Sequence, residues 1–310
     1  MPLTHDLTEL VADGKRFILL TGCARSGTSI VGRYLASLDN FIYSYEPPSL
    51  MALLAEGENV TDDSFWNIWS TQVVMDSGVG SFTGRTLNLN RLEESSAHRF
   101  LTSEAIERRL GQTLRSSEAL KLLRDRTVVV KIPDLAVELA KIARVLPRMV
   151  TIATVRHPAS VALSLKERGW YRSPTLLDSG LALPVQEGPL GVVPYWLGEQ
   201  DHEKWYLGSE YDRCLLNYIH TSDFTKIQPS IVFDFERMIQ SGGTSLRLLA
   251  KKLGAQETST SSSIRDSIHR GKAIAEFSEA ADTTLIARAL QIWRGVKRST
   301  QGGNMDATEL

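Results

Sequence analysis

The stretch that most constrains this chain is Arg16-Phe-Ile-Leu-Leu-Thr21, followed at once by Gly22-Cys-Ala-Arg-Ser-Gly27-Thr28-Ser29. An unbroken apolar run ending in a glycine-rich turn fits a strand buried on both faces, because polar alternation vanishes when neither face meets water. From Thr28, residues Ile30, Val31, Tyr34, Leu35 and Leu38 recur at the spacing of one helical face. A buried strand that leaves into a helix commits the chain to parallel pairing through crossovers. The pattern then repeats. Strands are predicted over 41–45 (stopped by Pro47-Pro48), 127–131, 149–155 and 230–235. Helices are predicted over 135–145, from Pro158 onward, and over 196–219, 245–253 and 283–298. Four prolines (174, 184, 189, 194) predict a long loop, and the Ser/Thr-dominated stretch 258–263 predicts a mobile one.

This alternation predicts an α/β protein, a three-layer α/β/α arrangement around a central parallel sheet. A length of 310 residues would admit two domains at about 150 residues each. No linker or internal repeat divides the chain, so one domain over 1–310 is expected, with insertions at about 47–125 and 170–210.

Charge narrows the partners. Lys plus Arg is 35 against 36 for Asp plus Glu, which leaves no global field to draw in nucleic acid or an anionic membrane. The balance conceals opposed patches. Residues 141–172 hold seven Lys/Arg against Glu167 alone, and residues 51–84 hold five acids and no base. Two cysteines, Cys23 and Cys214, cannot build a disulfide framework and fit a reducing compartment. No apolar run approaches the roughly 20 residues of a membrane span, and the first residues are too polar for a signal peptide. A cytoplasmic chain without a membrane span is expected. Six scattered histidines (5, 98, 157, 202, 220, 269) show no metal-ligand spacing, so no metal is expected.

The turn at 22–29 has the G-x4-G spacing of a phosphate loop, with Thr28 where a nucleoside-triphosphatase loop carries its lysine. Backbone N–H groups and a helix N-terminus can still hold a phosphate there. The ammonium that neutralises β- and γ-phosphates is missing, and Arg25 puts a guanidinium in the loop instead. A second signal follows the fourth strand, where Arg156 and Ser164 lie eight residues apart and Arg168-Gly169 follow. A strand-end arginine and a hydroxyl about two helical turns on can converge on one anion.

Together these segments resemble the sulfotransferase family. Arg25-Ser26-Gly27-Thr28-Ser29 is similar to its 5′-phosphosulfate loop, (K/R)SGT(T/S), and Arg156, Ser164, Arg168 and Gly169 are similar to its 3′-phosphate motif. Residues 231–238, IVFDFERM, are similar to its V-x-Y-E-D-L segment, with Phe for Tyr and Arg for Asp. The resemblance implies a P-loop-NTPase-like sulfotransferase fold and 3′-phosphoadenosine 5′-phosphosulfate (PAPS) as donor, with the 3′,5′-bisphosphate (PAP) as product and no metal. The donor-binding residues it implies are Arg25, Ser26, Gly27, Thr28, Ser29, Arg156 and Ser164. The echo of a last donor motif adds Arg270, Gly271 and Lys272. The carbohydrate and tyrosylprotein branches, which this chain resembles more than the animal cytosolic one, use a Glu base at the end of the second strand. Glu46 holds that position. Lys131, in a K-x-P context at the end of the third strand, is expected to face the sulfate and to share leaving-group stabilisation with Arg25. Glu46, Arg25 and Lys131 are thus the expected catalytic set.

The acceptor is less legible. Aromatics at 65, 66, 69, 170, 171, 195, 196, 205 and 206 fall in the two insertions, where they serve equally as stacking platforms or as core. The leading expectation is a hydroxyl of a saccharide, glycolipid or other small metabolite, with a phenol or tyrosyl hydroxyl as the alternative. A kinase-like phosphotransferase and an inactive nucleotide-binding module are less favoured.

Overall fold

The computed structural model describes residues 16–176, 184–225, 229–268 and 274–302. Every residue of β1 (Phe17–Gly22) is buried. Phe17 and Leu19 pack into one hydrophobic cluster with Val128, Val130 and Ala153, while Ile18 and Leu20 pack into another with Val129 and Ile152. Two packed faces explain the unbroken apolar run. β1 is the middle strand of a fully parallel five-stranded sheet in the order β2-β3-β1-β4-β7. The other four strands are β2 (Phe41–Tyr45), β3 (Thr127–Lys131), β4 (Val150–Val155) and β7 (Ile231–Asp234), of which β3 and β4 flank β1 directly. An antiparallel hairpin, β5 (Val185–Gly188) and β6 (Gly191–Pro194), stands apart.

Helices α1 (Thr28–Ala36), α11 (Thr244–Lys252) and α12 (Ser259–Asp266) cover one face of the sheet through Val31, Leu35, Leu246, Leu249 and Ile264. The other face is covered by α2 (Pro48–Ala55), α3 (Asp62–Thr71) with its π-helical continuation Gln72–Val79, and α6 (Leu139–Val145). Two further helices, α4 (Ser103–Gly111) and α5 (Ser116–Leu123), complete the β2–β3 insertion. A third cluster joins α7 (Pro158–Arg168), α9 (Glu210–Thr221) and α13 (Thr283–Gly302), with Tyr171, Trp196 and Trp205 in its core. Helix α10 is Phe235–Gln240. Among the described residues no helix is long and apolar enough to cross a membrane.

Three expectations are corrected. The stretch 196–219 is not one helix. It breaks at Gly208 into α8 (His202–Leu207) and α9, because the Ser209 hydroxyl accepts from the Asp212 N–H while the Asp212 carboxylate accepts from the Ser209 N–H, a box that starts a new helix. The proline-rich loop contains the β5–β6 hairpin, whose Pro189 lies in the turn and whose Pro194 ends β6, places where a missing N–H is tolerated. The Ser/Thr run at 258–263 is helical: Thr258 caps α12 by accepting from Ser261 N–H at 3.2 Å, so these hydroxyls cap a helix rather than form a loop. The opposed charge patches also partly neutralise each other. Arg144 makes a bidentate pair with Asp62 at 2.9 Å on both arms, and buried Lys141 donates to the carbonyls of Gly57 and Val60.

Candidate active site

A parallel sheet presents its ligands beyond the carboxyl ends of its strands. The pairs Tyr45↔Lys131, Gly22↔Thr154 and Val155↔Asp234 lie along that edge, which brings the loops after β1, β2, β3 and β4 together. The loop after β1 depends on two glycines. Gly22 has φ +139, and a Cβ there would lie 2.3 Å from Thr154 Oγ1 and 2.5 Å from the Thr154 carbonyl. Gly27, at φ +103, caps α1, and a Cβ would meet the Phe235 ring at 2.3 Å. Only glycine fits such backbone.

Between them the loop is braced from inside. The Ser26 N–H donates to the Cys23 carbonyl at 3.0 Å, and the Ser26 and Thr154 hydroxyls are 2.6 Å apart. The Ala24 N–H donates to Asp134 Oδ1 at 2.8 Å. Ser26 therefore turns its side chain to the sheet, and buried Thr28 opens the first turn of α1, whose N–H groups have no partner within the helix. Asp134 was not singled out from sequence. It follows Lys131-Ile-Pro, adopts φ +62, and burial pushes its carboxyl up to about 6.

Arg25 forms the crest of the loop in a left-handed conformation, φ +68. Its Nε donates to Ser164 Oγ at 3.1 Å, and Arg156 Nη1 donates to the Arg25 carbonyl at 3.0 Å. The structure thus joins the two separate sequence motifs. The Arg156 guanidinium lies 4.6 Å over the Phe235 ring, and its buried Nε has no hydrogen-bond partner.

Across the pocket, the Glu46 N–H donates to the Lys131 carbonyl at 2.8 Å, and the Lys131 ammonium is paired with Glu46 Oε1. Lys131 does not snorkel: its side chain is 3% exposed and its Nζ sits 4.1 Å from the Tyr45 ring centroid. Glu46 adopts φ +45, which turns its carboxylate toward a cavity of about 610 Å³. Arg25, Thr28, Ser29, Lys131 and Asp134 share that cavity with an apolar wall of Met51, Pro133 and Trp170.

A second carboxylate faces the same cations. Glu94, unremarkable in sequence, accepts from Ser29 Oγ and from Arg168 Nη2, each at 3.1 Å, and lies 3.5 Å from Arg25 Nη1. Other candidates stand elsewhere. The His157 N–H donates to Glu236 Oε1 at 2.7 Å, its ring packs against Trp293, and Asp234 pairs with Lys297 at 2.7 Å. Phe65, Trp69, Trp196 and Trp205 are core, and the aromatics of the insertions that line this cavity are Trp170 and the buried Tyr171. Arg270, Gly271 and Lys272 lie outside the described residues.

A model of the sulfotransferase family matches residues 18–179, just over half of the chain and a span that contains Arg25, Glu46, Glu94, Lys131, Asp134, Arg156, Ser164 and Arg168. The chain belongs to the sulfotransferase family. Among solved structures, this sulfotransferase is similar to the sulfotransferase domain from the Synechococcus PCC 7002 olefin synthase. That match has a TM-score of 0.44 and 11% identity over 90% of this chain and 93% of that one. It is also similar to the sulfotransferase domain from the curacin biosynthetic pathway (TM-score 0.42, 15% identity, 90% and 96% coverage). A search of curated protein sequences returned no match.

Proposed function

We propose that this sulfotransferase moves the sulfuryl group of PAPS to a hydroxyl of a small-molecule acceptor. The observation that carries the reading is that Arg156 and Ser164 are both bonded to Arg25, which lines a pocket that also holds the Glu46–Lys131 pair. The unpartnered Nε of Arg156 is a buried donor awaiting an acceptor, which fits a 3′-phosphate. Thr28 is 3% exposed and brings no charge to the loop, which disfavours a triphosphate.

When bound, the donor supplies an activated sulfuryl group on its 5′-phosphate. Glu46 takes the proton of the acceptor hydroxyl as that oxygen bonds to sulfur. The S–O bond to the 5′-phosphate breaks, its electron pair stays on the bridging oxygen, and Lys131 and Arg25 stabilise the charge that develops there. In the free enzyme Lys131 is neutralised by Glu46; an arriving sulfate draws the ammonium away and frees the carboxylate to act as base. No step requires a metal. The insertions at 47–125 and 170–210 line the acceptor side of one domain. The leading acceptor is a saccharide, glycolipid or other small metabolite. The wall of Met51, Pro133 and Trp170 favours a second reading, a phenolic hydroxyl. Two buried free thiols, Cys23 and Cys214, support a cytoplasmic setting.

The test is transfer of labelled sulfate from PAPS onto an acceptor panel, with Glu46→Gln alongside. Loss of a general base lowers turnover by about 10²–10⁴-fold while PAP binding persists. A variant with full turnover on the true acceptor contradicts the base assignment.

A further inference from the structure

Glu94 occupies a place the reaction does not explain. Its carboxylate touches three groups assigned above to anion recognition or neighbouring it: Ser29 of the phosphate loop, Arg25 at the loop's crest, and Arg168 at the end of α7. Partial burial pushes its pKa up, but Arg25, the Ser29 hydrogen bond and Arg168 outweigh that, so it is held as a carboxylate. The loop that carries it is internally tied. Glu93 accepts from the side chains of Asn88, Asn90 and Ser95, the Ala97 N–H donates to the Asn88 carbonyl at 2.7 Å, and Arg99 Nε donates to the Glu93 carbonyl at 2.8 Å. These ties make the segment one unit, anchored at its end by buried Ala97 and reaching the phosphate loop through Glu94. The same segment supplies Asn88 and Ser95 to a cavity of about 470 Å³ that Glu46 also lines, together with Gln72, Asp76 and Ser77 of the π-helical stretch.

We propose that Glu94 is a resident counter-anion of the donor site, displaced when the donor's phosphate takes over Arg25, Arg168 and Ser29, and that its release shifts the 88–97 segment and so reshapes the cavity beside Glu46. The proposal rests on the donor-site reading above. Two carboxylate oxygens satisfy a guanidinium pair and a hydroxyl much as two phosphate oxygens do, so the carboxylate and the phosphate compete for one place. The exchange makes binding ordered: the donor enters first, and the acceptor meets the cavity that the released segment leaves. It also lowers donor affinity, since every donor molecule must first break the internal contacts.

The test compares wild type with Glu94→Gln and Glu94→Ala, using PAP and inorganic pyrophosphate as calorimetric probes. Glu94 is a partly exposed loop residue, 42% exposed at its side chain, so the variants retain the fold. PAP should bind the variants roughly 5–20-fold more tightly, from the loss of ion pairs and a hydrogen bond of ordinary surface strength, and with a steeper salt dependence. Trypsin cleavage after Arg91, next to the 90%-exposed Leu92, should rise on PAP addition in wild type and be high without PAP in the variants. Equal or weaker PAP affinity in both variants, or cleavage indifferent to PAP, overturns the inference while leaving the donor reading intact. If pyrophosphate gains affinity in the variants but PAP binds no form of the protein, the counter-anion role stands and the donor reading fails.

Discussion

Arg156→Ala separates the two jobs this side chain performs. One is shared by any nucleotide: Nη1 holds the Arg25 carbonyl at 3.0 Å and so braces the loop. Losing that bond weakens every ligand of the loop by about 0.5–1.5 kcal/mol. The other is specific. The proposed contact with the 3′-phosphate uses the guanidinium whose buried Nε has no partner, and a hydrogen bond between two charged groups contributes about 1.5–3 kcal/mol. PAP should therefore weaken by the sum, AMP by the shared part alone, and the ratio of their dissociation constants should fall by roughly 10–150-fold. Arg156→Lys should land between the two, since an ammonium keeps the charge and loses the fork. Calorimetry with PAP and AMP on the three proteins reads this directly, and a melting curve checks that loss of the stacking on Phe235 has not unfolded the variant. An equal loss for both nucleotides refutes the 3′-phosphate role.

Gly27→Ala meets both a left-handed backbone and the Phe235 ring at 2.3 Å. It should cost roughly 1–3 kcal/mol in stability and abolish PAP binding; an unchanged melting temperature with normal binding contradicts the account of the loop. Glu138, 8% exposed, has its carboxyl pushed up to about 8 by burial. The folded protein therefore keeps that proton where the unfolded chain has lost it, and the stability Glu138 contributes falls by about 1.4 kcal/mol per pH unit as pH rises from the ordinary carboxylate range toward 8. Urea-unfolding midpoints between pH 5 and 8.5 should decline less steeply for Glu138→Gln than for wild type, and parallel profiles contradict the assignment.

Much of the core was readable because fully buried parallel strands leave unbroken apolar runs: β1, β2, β3 and β4 lie within a residue or so of where the pattern places them. The hairpin at 185–194 was hidden by its prolines, which speak for loops until an edge position accommodates them. The long helix expected at 196–219 hid the cap at Ser209, since apolar residues continue on both sides of Gly208. In the site, motif spacing named Arg25, Arg156 and Ser164 and the family resemblance named Glu46 and Lys131, but neither carried a sign that Arg25 meets Ser164 across 139 residues. That contact exists because β1 and β4 are neighbours, a fact of topology. Asp134 could have been suspected from its place after Lys131-Ile-Pro. Glu94 could not, because one acid in a polar loop has no periodicity or spacing to mark it.

The proposed donor, PAPS, and its product PAP share the adenosine 3′,5′-bisphosphate that this pocket is proposed to hold. Titration of the wild-type protein by calorimetry with PAP, AMP and ATP·Mg tests that proposal most directly. The account predicts tight binding of PAP, weak binding of AMP and little heat from ATP·Mg; a preference for ATP·Mg over PAP would contradict it.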